Sequence, residues 1–112
     1  MTLSHTAAWL VLLVAGLFEV VWSVSMKASE GFTRPLLTAI TIMTAWFSFW
    51  LLGMALKVLP VGTAYAVWTG IGAIGAAVLG IVLFKEPATV ARIGCILLIV
   101  AGILGLKITS GH

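Results

Sequence analysis

The sequence predicts an all-α membrane protein with four transmembrane helices in a single domain, residues 1–112. Composition is the first reason: 62% of the residues are hydrophobic, 8% are charged, and the mean hydropathy is +1.27, far above that of a soluble domain. The second reason is that the chain divides into four long apolar runs. The third is that the breaks between these runs are short and rich in charge, glycine and proline, which leaves no room for a soluble domain.

The first apolar run, residues 7–26, contains no Lys, Arg or Asp. At 1.5 Å of rise per residue it is about 30 Å long, the thickness of the hydrocarbon core of a bilayer. No Lys or Arg precedes it, and it is about twice as long as the apolar region of a signal peptide. We therefore expect this helix to be retained.

The second and third runs are residues 36–56 and 61–84. The second follows "EGFTRP" at residues 30–35, where glycine and proline end a helix and Arg34 is expected at the level of the lipid headgroups. The third follows "KVLP" at residues 57–60. Both boundaries are typical of short turns at the membrane surface.

The fourth run, residues 88–106, follows "KEP" at residues 85–87. Arg92 is one turn inside it, and its long side chain can reach outward to the interface. Because each helix must satisfy its own backbone hydrogen bonds in lipid, short connections favour an antiparallel four-helix hairpin bundle.

The distribution of Lys and Arg gives only a weak preference for one orientation in the membrane. The charges at the end that holds the N-terminus are Lys57 and Lys107, and those at the opposite end are Lys27, Arg34, Lys85 and Arg92. A weak bias permits insertion in both orientations, so that two copies could pair about an axis in the membrane plane, as inverted repeats do in transporters. The alternative is a single orientation with the more basic loops inside, which charge counting slightly favours.

Glu19 is the one acidic residue inside an apolar run, in "GLFEVVW" at residues 16–22. An ionised acid facing lipid would cost roughly 2.5 kcal/mol or more, so an acid at this depth is by default a functional hypothesis. Its neighbours on the same helix face are Ala15, Gly16, Trp22 and Ser23. The alternative is a protonated, hydrogen-bonded Glu19 that serves only packing.

Hydroxyl and aromatic side chains on the next two helices can complete a site around this acid. The second helix carries hydroxyls at spacings of three and four, and the third carries aromatic residues one turn apart; they are Thr38, Thr41, Thr44, Ser48, Tyr65 and Trp68. For the threonines, hydrogen bonds between helices are the favoured interpretation. Aromatic faces attract a cation by ~2 kcal/mol or more where water is excluded, and a carboxylate supplies the opposite charge. The pattern indicates a site for an organic cation.

The same site is expected to bind protons. A carboxyl group withdrawn from water favours its neutral, protonated form. One group that holds either a proton or a cation gives exchange, because each ligand must leave before the other binds.

The third helix contains "GIGAIGAA" at residues 70–77, with Gly70, Gly72 and Gly75. These glycines indicate either close helix packing or a bend that acts as a conformational hinge. The fourth helix carries Cys95 and Gly102 seven residues apart. This face of small residues suits contact with a helix of another subunit.

Several classes of protein are not indicated by the sequence. No catalytic nucleophile, metal-ligand cluster or phosphate-binding loop is recognisable, so we expect neither an enzyme nor a bound metal or cofactor. The six Lys and Arg residues form no basic patch, so we expect no nucleic-acid partner.

Four motifs together resemble the small multidrug resistance family of four-helix transporters, and most closely its guanidinium exporter subtype. They are "GLFEVVW" at 16–22, "EGFTR" at 30–34, "LPVGTAYAVWTGIGAIGA" at 59–76 and "FKEP" at 84–87. The resemblance covers residues 9–109. Trp22 one turn after Glu19, and "FKEP" closing the third helix, are more similar to the exporter subtype than to the polyaromatic-drug branch.

The resemblance implies an antiparallel, dual-topology homodimer in the bacterial inner membrane, in which two copies of Glu19 share one central site. It also implies that inward proton movement drives guanidinium outward, and that a hydrogen-bonded network joins Glu19 to Trp22, Ser48, Tyr65 and Trp68. The family often has glycine where this chain has Cys95. The alternatives are a broader exporter of quaternary ammonium and other drug cations, a non-transporting structural or regulatory membrane subunit, and a passive channel.

Overall fold

The structure, a computed structural model, describes residues 4–109 and contains four helices in that range. They are α1 (His5–Ala28), α2 (Pro35–Leu56), α3 (Val61–Phe84) and α4 (Val90–Thr109). Each is long and apolar enough to cross a membrane, and no strand occurs between residues 4 and 109. The prediction of an all-α chain with four membrane-spanning helices is confirmed.

Local capping explains where the observed helices depart from the predicted ranges. Ser4 Oγ accepts a hydrogen bond from the Ala7 N–H at 3.1 Å, so α1 begins before the predicted range of 7–26. Thr89 Oγ1 accepts from the Arg92 N–H at 3.1 Å, so α4 begins after the predicted start of 88. Helix α4 also continues beyond 106, and α2 begins at Pro35, a favoured residue for a first helical turn.

The four helices do not form a closed bundle, so the expectation of a four-helix hairpin bundle is wrong for the protomer. Helix α1 packs against both α2 and α3, whereas α4 contacts α3 alone among the described helices. The arrangement is flat, with extents of 41 × 36 × 16 Å. The buried core comes from the first three helices and includes Leu12, Ala15, Leu51, Ala55, Val67 and Trp68. No residue of α4 is buried, so this helix presents most of its surface outward.

Glycines allow α1 and α3 to approach closely. A Cβ added at Gly16 would lie 2.6 Å from Cγ2 of Ile71, and one added at Gly75 would overlap the Val20 side chain. Such separations are too short for real Cβ atoms, so a larger residue at either position requires the helices to move apart.

We expect Gly16→Ala to lower the stability of the protein by about 1–3 kcal/mol, because the added methyl overfills the α1–α3 contact. Thermal unfolding in detergent micelles, followed by circular dichroism, measures the change. Gly53→Ala is the matched control, since nothing lies within 4 Å of a Cβ at that position in α2. Equal stability of the two variants would contradict this account of the packing.

Candidate functional site

The carboxyl group of Glu19 lies near the middle of α1 and faces the backbone of α3. It contacts Gly72, where an added Cβ would overlap the carboxyl oxygen Oε1. This oxygen is buried and has no hydrogen-bond partner within residues 4–109. A buried polar atom almost always has a partner, so an unsatisfied carboxyl oxygen at this depth is available to a proton or to a ligand that donates hydrogen bonds.

Ser48 joins three helices beside the turn that carries Glu19. The indole Nε1 of Trp68 donates to Ser48 Oγ at 3.0 Å, and Ser48 Oγ donates to the backbone carbonyl of Ala15 at 2.7 Å. Ser48 and Trp68 are both buried. Ala15 is one turn before Glu19, and its carbonyl is the helical acceptor for the Glu19 N–H. These two hydrogen bonds therefore hold α2 and α3 in place around the acid.

Four aromatic side chains form a row across the three helices. The ring centroids are 6.2 Å apart between Trp22 and Phe49, 5.6 Å between Phe49 and Trp68, and 5.7 Å between Trp68 and Tyr65. Tyr65 is 56% exposed and Phe49 is 52% exposed, whereas Trp68 is buried. The row is therefore anchored at Trp68 and open along one side.

Phe49 was not among the residues that the sequence indicated. It is adjacent to Ser48 in the chain, and neighbours in a helix point about 100° apart, so the spacing that selects Ser48 gives no reason to select Phe49. A run of aromatic residues around Ser48 was the available signal: "WFSFW" at residues 46–50.

The structure brings Trp22, Ser48, Tyr65 and Trp68 into one region, but Glu19 forms no hydrogen bond with them within residues 4–109. Ser48 has a single hydroxyl hydrogen, which it donates to Ala15, and it accepts from Trp68. The indole nitrogen of Trp22 is buried and has no partner among the described residues. Between residues 4 and 109 no hydrogen bond therefore links Glu19 to these side chains, and the network that includes Glu19 stays a prediction.

The threonines of α2 do not connect helices, so that part of the sequence interpretation is wrong. Each hydroxyl donates to the backbone carbonyl four residues earlier in the chain, at 2.8 Å for Thr38, 2.8 Å for Thr41 and 2.6 Å for Thr44. Hydroxyls in helices often bond back in this way. Among the hydroxyls of the predicted stripe, Ser48 alone bonds to another helix in the described part of the chain.

The glycines of "GIGAIGAA" have packing contacts in a continuous helix. Helix α3 runs unbroken through Gly70, Gly72 and Gly75. Gly70 faces Ile103 of α4, while the other two face α1. Close packing is therefore evident, and a hinge at these residues stays a prediction.

The residues expected to contact another subunit lie on the outer surface of α4. Cys95 is exposed, and nothing lies within 4 Å of a Cβ added at Gly102. The same is true of Gly94 and Gly105. This face is open in the protomer, and its contact with a second copy stays a prediction.

The fold and the site together define a small multi-pass membrane protein with an ionisable group inside its transmembrane region. The family model described as Small Multidrug Resistance protein matches residues 7–99, and this chain belongs to that family.

Several proteins named guanidinium exporter are similar to this chain over nearly its whole length. A protein of Yersinia pseudotuberculosis serotype I named guanidinium exporter is 54% identical over 103 residues, which are 92% of this chain and 99% of that protein. The proteins of the same name from Citrobacter freundii and Salmonella typhimurium are each 54% identical, with 92% of this chain and 98% of each relative covered. Exporters are transporters and not enzymes.

We expect Ser48→Ala to destabilise the protein by about 1–3 kcal/mol, because it leaves the buried indole N–H of Trp68 without an acceptor. Thermal unfolding in detergent measures the loss. Thr44→Ala is the control, since its hydroxyl bonds within its own helix and alanine is the better helix former. If Thr44→Ala lowered stability as much as Ser48→Ala, the hydrogen bonds between helices would contribute no more than those within a helix.

Proposed function

We propose that this chain is a proton-coupled antiporter that exports guanidinium, with Glu19 as the group that holds either ion. The structural observation that carries the proposal is the buried Glu19 Oε1, which has no hydrogen-bond partner within residues 4–109. A carboxyl group used only for packing would be expected to have such a partner. The name of the 54% identical relatives supports guanidinium as the substrate.

The chemistry of the site suits this ion. Guanidinium is planar, permanently charged near neutral pH and weakly hydrated, and it can donate paired hydrogen bonds to a carboxylate. Trp22 is three residues from Glu19 on α1 and begins the aromatic row that continues to Trp68 and Tyr65. These rings offer π faces that attract a cation where water is excluded.

Coupling follows from competition at one carboxyl group. Guanidinium binds the ionised form of Glu19, and a proton converts that group to the neutral form. Binding of guanidinium therefore weakens as pH falls, and a proton gradient directed inward favours release of guanidinium on the outside. Each ion must leave before the other binds, and in this proposal the site changes sides only while one of the two ions occupies it, so neither ion crosses the membrane without exchange for the other.

The functional unit in this proposal is an antiparallel, dual-topology homodimer in the bacterial inner membrane, with both copies of Glu19 in one site. Two observations support a second copy: α4 has no buried residue, and its small residues, including Cys95 and Gly102, are uncovered. Surfaces of small residues suit close contact between membrane helices. The glycines at 70, 72 and 75 are proposed as the positions where α3 bends when access changes sides.

A broader exporter of quaternary ammonium and related cations is the second candidate. The observation that favours it is the open side of the aromatic row, where Phe49 and Tyr65 are both more than half exposed. A substituent on the cation could extend through that opening while its charged group stays at Glu19. A structural subunit without transport is less well supported, because it gives no use to the unpartnered carboxyl oxygen.

We expect Glu19→Gln to abolish pH-driven guanidinium uptake into proteoliposomes while the protein remains folded and inserted. Glutamine preserves the shape of the side chain but can neither ionise nor release a proton. Glu30→Gln is the control, because Glu30 lies outside the helices and its side chain is 66% exposed. Guanidinium–proton exchange by Glu19→Gln protein at equal density would rule out the proposed site.

Dual insertion is tested by cysteine labelling that leaves every charge in place. In a Cys95→Ala background, we introduce Thr33→Cys between α1 and α2 or Val61→Cys at the start of α3. We expect an impermeant thiol reagent to label each site in part from one side of the membrane and to label the remainder only after the membrane is opened. Complete labelling of either site from one side alone would refute dual topology.

A further inference from the structure

A cavity with charged side chains in its lining lies between α1, α3 and the start of α4, toward the loops that follow α1 and α3. Its volume is about 300 Å³, and its lining includes Ser23, Lys27, Ala76, Gly80, Glu86 and Arg92. Ser23 is four residues after Glu19, so the cavity begins about one helical turn, ~6 Å along the helix axis, beyond the Glu19 position. The small residues of α3 leave the space that the cavity occupies.

A carboxylate at the mouth of this cavity already holds a guanidinium group. Glu86 Oε1 accepts a hydrogen bond from Arg92 Nη2 at 2.6 Å, and each of the two side chains is 33% exposed. The same oxygen contacts Gly80, where an added Cβ would overlap it. The absence of a side chain at Gly80 therefore allows the Glu86 carboxylate to lie against α3.

The other acid–arginine pair at this end of the molecule is much weaker. Glu30 and Arg34 are 3.5 Å apart, and their side chains are 66% and 59% exposed. Exposed pairs of this kind contribute little, whereas a short, partly buried contact between a guanidinium and a carboxylate is strong. The Glu30–Arg34 pair can therefore serve as the control for experiments on the Glu86–Arg92 pair.

The charges around Glu86 permit exchange of one guanidinium group for another. Lys27 also lines the cavity, with its Nζ 5.4 Å from the centroid of the Phe84 ring. Lys27, Arg92 and Glu86 together carry one net positive charge. A free guanidinium ion that replaces Arg92 at Glu86 leaves this local charge unchanged once the Arg92 side chain turns toward water.

We propose that Glu86 is a second, weaker binding site for a small planar cation of the guanidinium type, at which Arg92 is a tethered competitor. The site lies at the outer end of a cavity whose inner end is one turn from Glu19. Guanidinium as the natural ligand rests on the proposed function. Recognition of the chemical group does not, because it is seen in the contact between Glu86 and Arg92.

The small number of acids in the chain makes a direct test possible. The sequence contains three acidic residues, which are Glu19, Glu30 and Glu86. Protein carrying Glu19→Gln and carbon-13-labelled glutamate carboxyl groups has two carboxylate signals by nuclear magnetic resonance, and Glu86→Gln assigns them. The probe is guanidinium chloride at millimolar concentration, compared with tetramethylammonium chloride, which has no N–H donors.

We expect guanidinium to shift the Glu86 signal in a saturable way and to leave the Glu30 signal nearly unchanged. Arg92→Gln should lower the apparent Kd at Glu86 by about tenfold, the factor expected if the internal pair occupies Glu86 about nine-tenths of the time. Arg34→Gln, the matched change in the weak pair, should leave the Glu86 Kd unchanged.

A Glu86 signal that does not move, or that moves without saturation and in parallel with Glu30, would overturn the proposal. An unchanged Kd in Arg92→Gln would also overturn it, because Arg92 would then not compete. If Arg92→Gln does not fold, the proposal is decided by titrating Glu19→Gln protein with Arg92 intact. A saturable shift of the Glu86 signal then supports the site, and the absence of such a shift overturns it. The unsubstituted protein has a third carboxylate signal, which belongs to Glu19. If this signal does not respond to guanidinium, the proposed function fails at Glu19, whatever the result at Glu86.

Discussion

The rest of the structure depends on one constraint, the burial of a carboxyl oxygen of Glu19 inside a transmembrane helix. This oxygen has no hydrogen-bond partner among residues 4–109. The carboxyl group of Glu19 fits against α3 because residue 72 is glycine and has no side chain. Burial without a partner is costly, so the surrounding helices have to hold this arrangement in place. Close packing at Gly16 and Gly75 brings α1 and α3 near enough to do so.

The hydrogen bonds of Ser48 show how a short polar connection can organise an otherwise apolar core. They join α2 and α3 to the turn of α1 that precedes Glu19. In lipid there is little hydrophobic force between helices, so small residues and a few well-placed hydrogen bonds determine how the helices associate. Within residues 4–109, helix α4 shares no such connection with α1 or α2, and its outward surface is the one that our proposal assigns to contact with a second copy.

The sequence was sufficient to predict the number of helices and the position of Glu19 inside the first of them, because membrane-spanning helices are recognised by their length and lack of charge and Glu19 is the acid that interrupts one. It predicted α3 at 61–84, the observed range, since Pro60 and Lys85 mark its two ends. Side-chain geometry was less accessible. A hydroxyl at a given spacing can bond within its own helix, as Thr41 does, or across to another, as Ser48 does, and the choice depends on how the helices pack. For the same reason, the sequence did not predict the role of Phe49 in the aromatic row, the cavity beside α3 or the contact of Glu86 with Arg92.

The central claim, that one site exchanges guanidinium for protons, is tested most directly by the ion movements themselves. Proteoliposomes with equal pH on both sides and a pH-sensitive dye inside receive an imposed guanidinium gradient directed inward. We expect protons to leave as guanidinium enters, so that the lumen becomes more alkaline, with no change in protein-free liposomes. Entry of guanidinium without any change in internal pH would contradict the central claim.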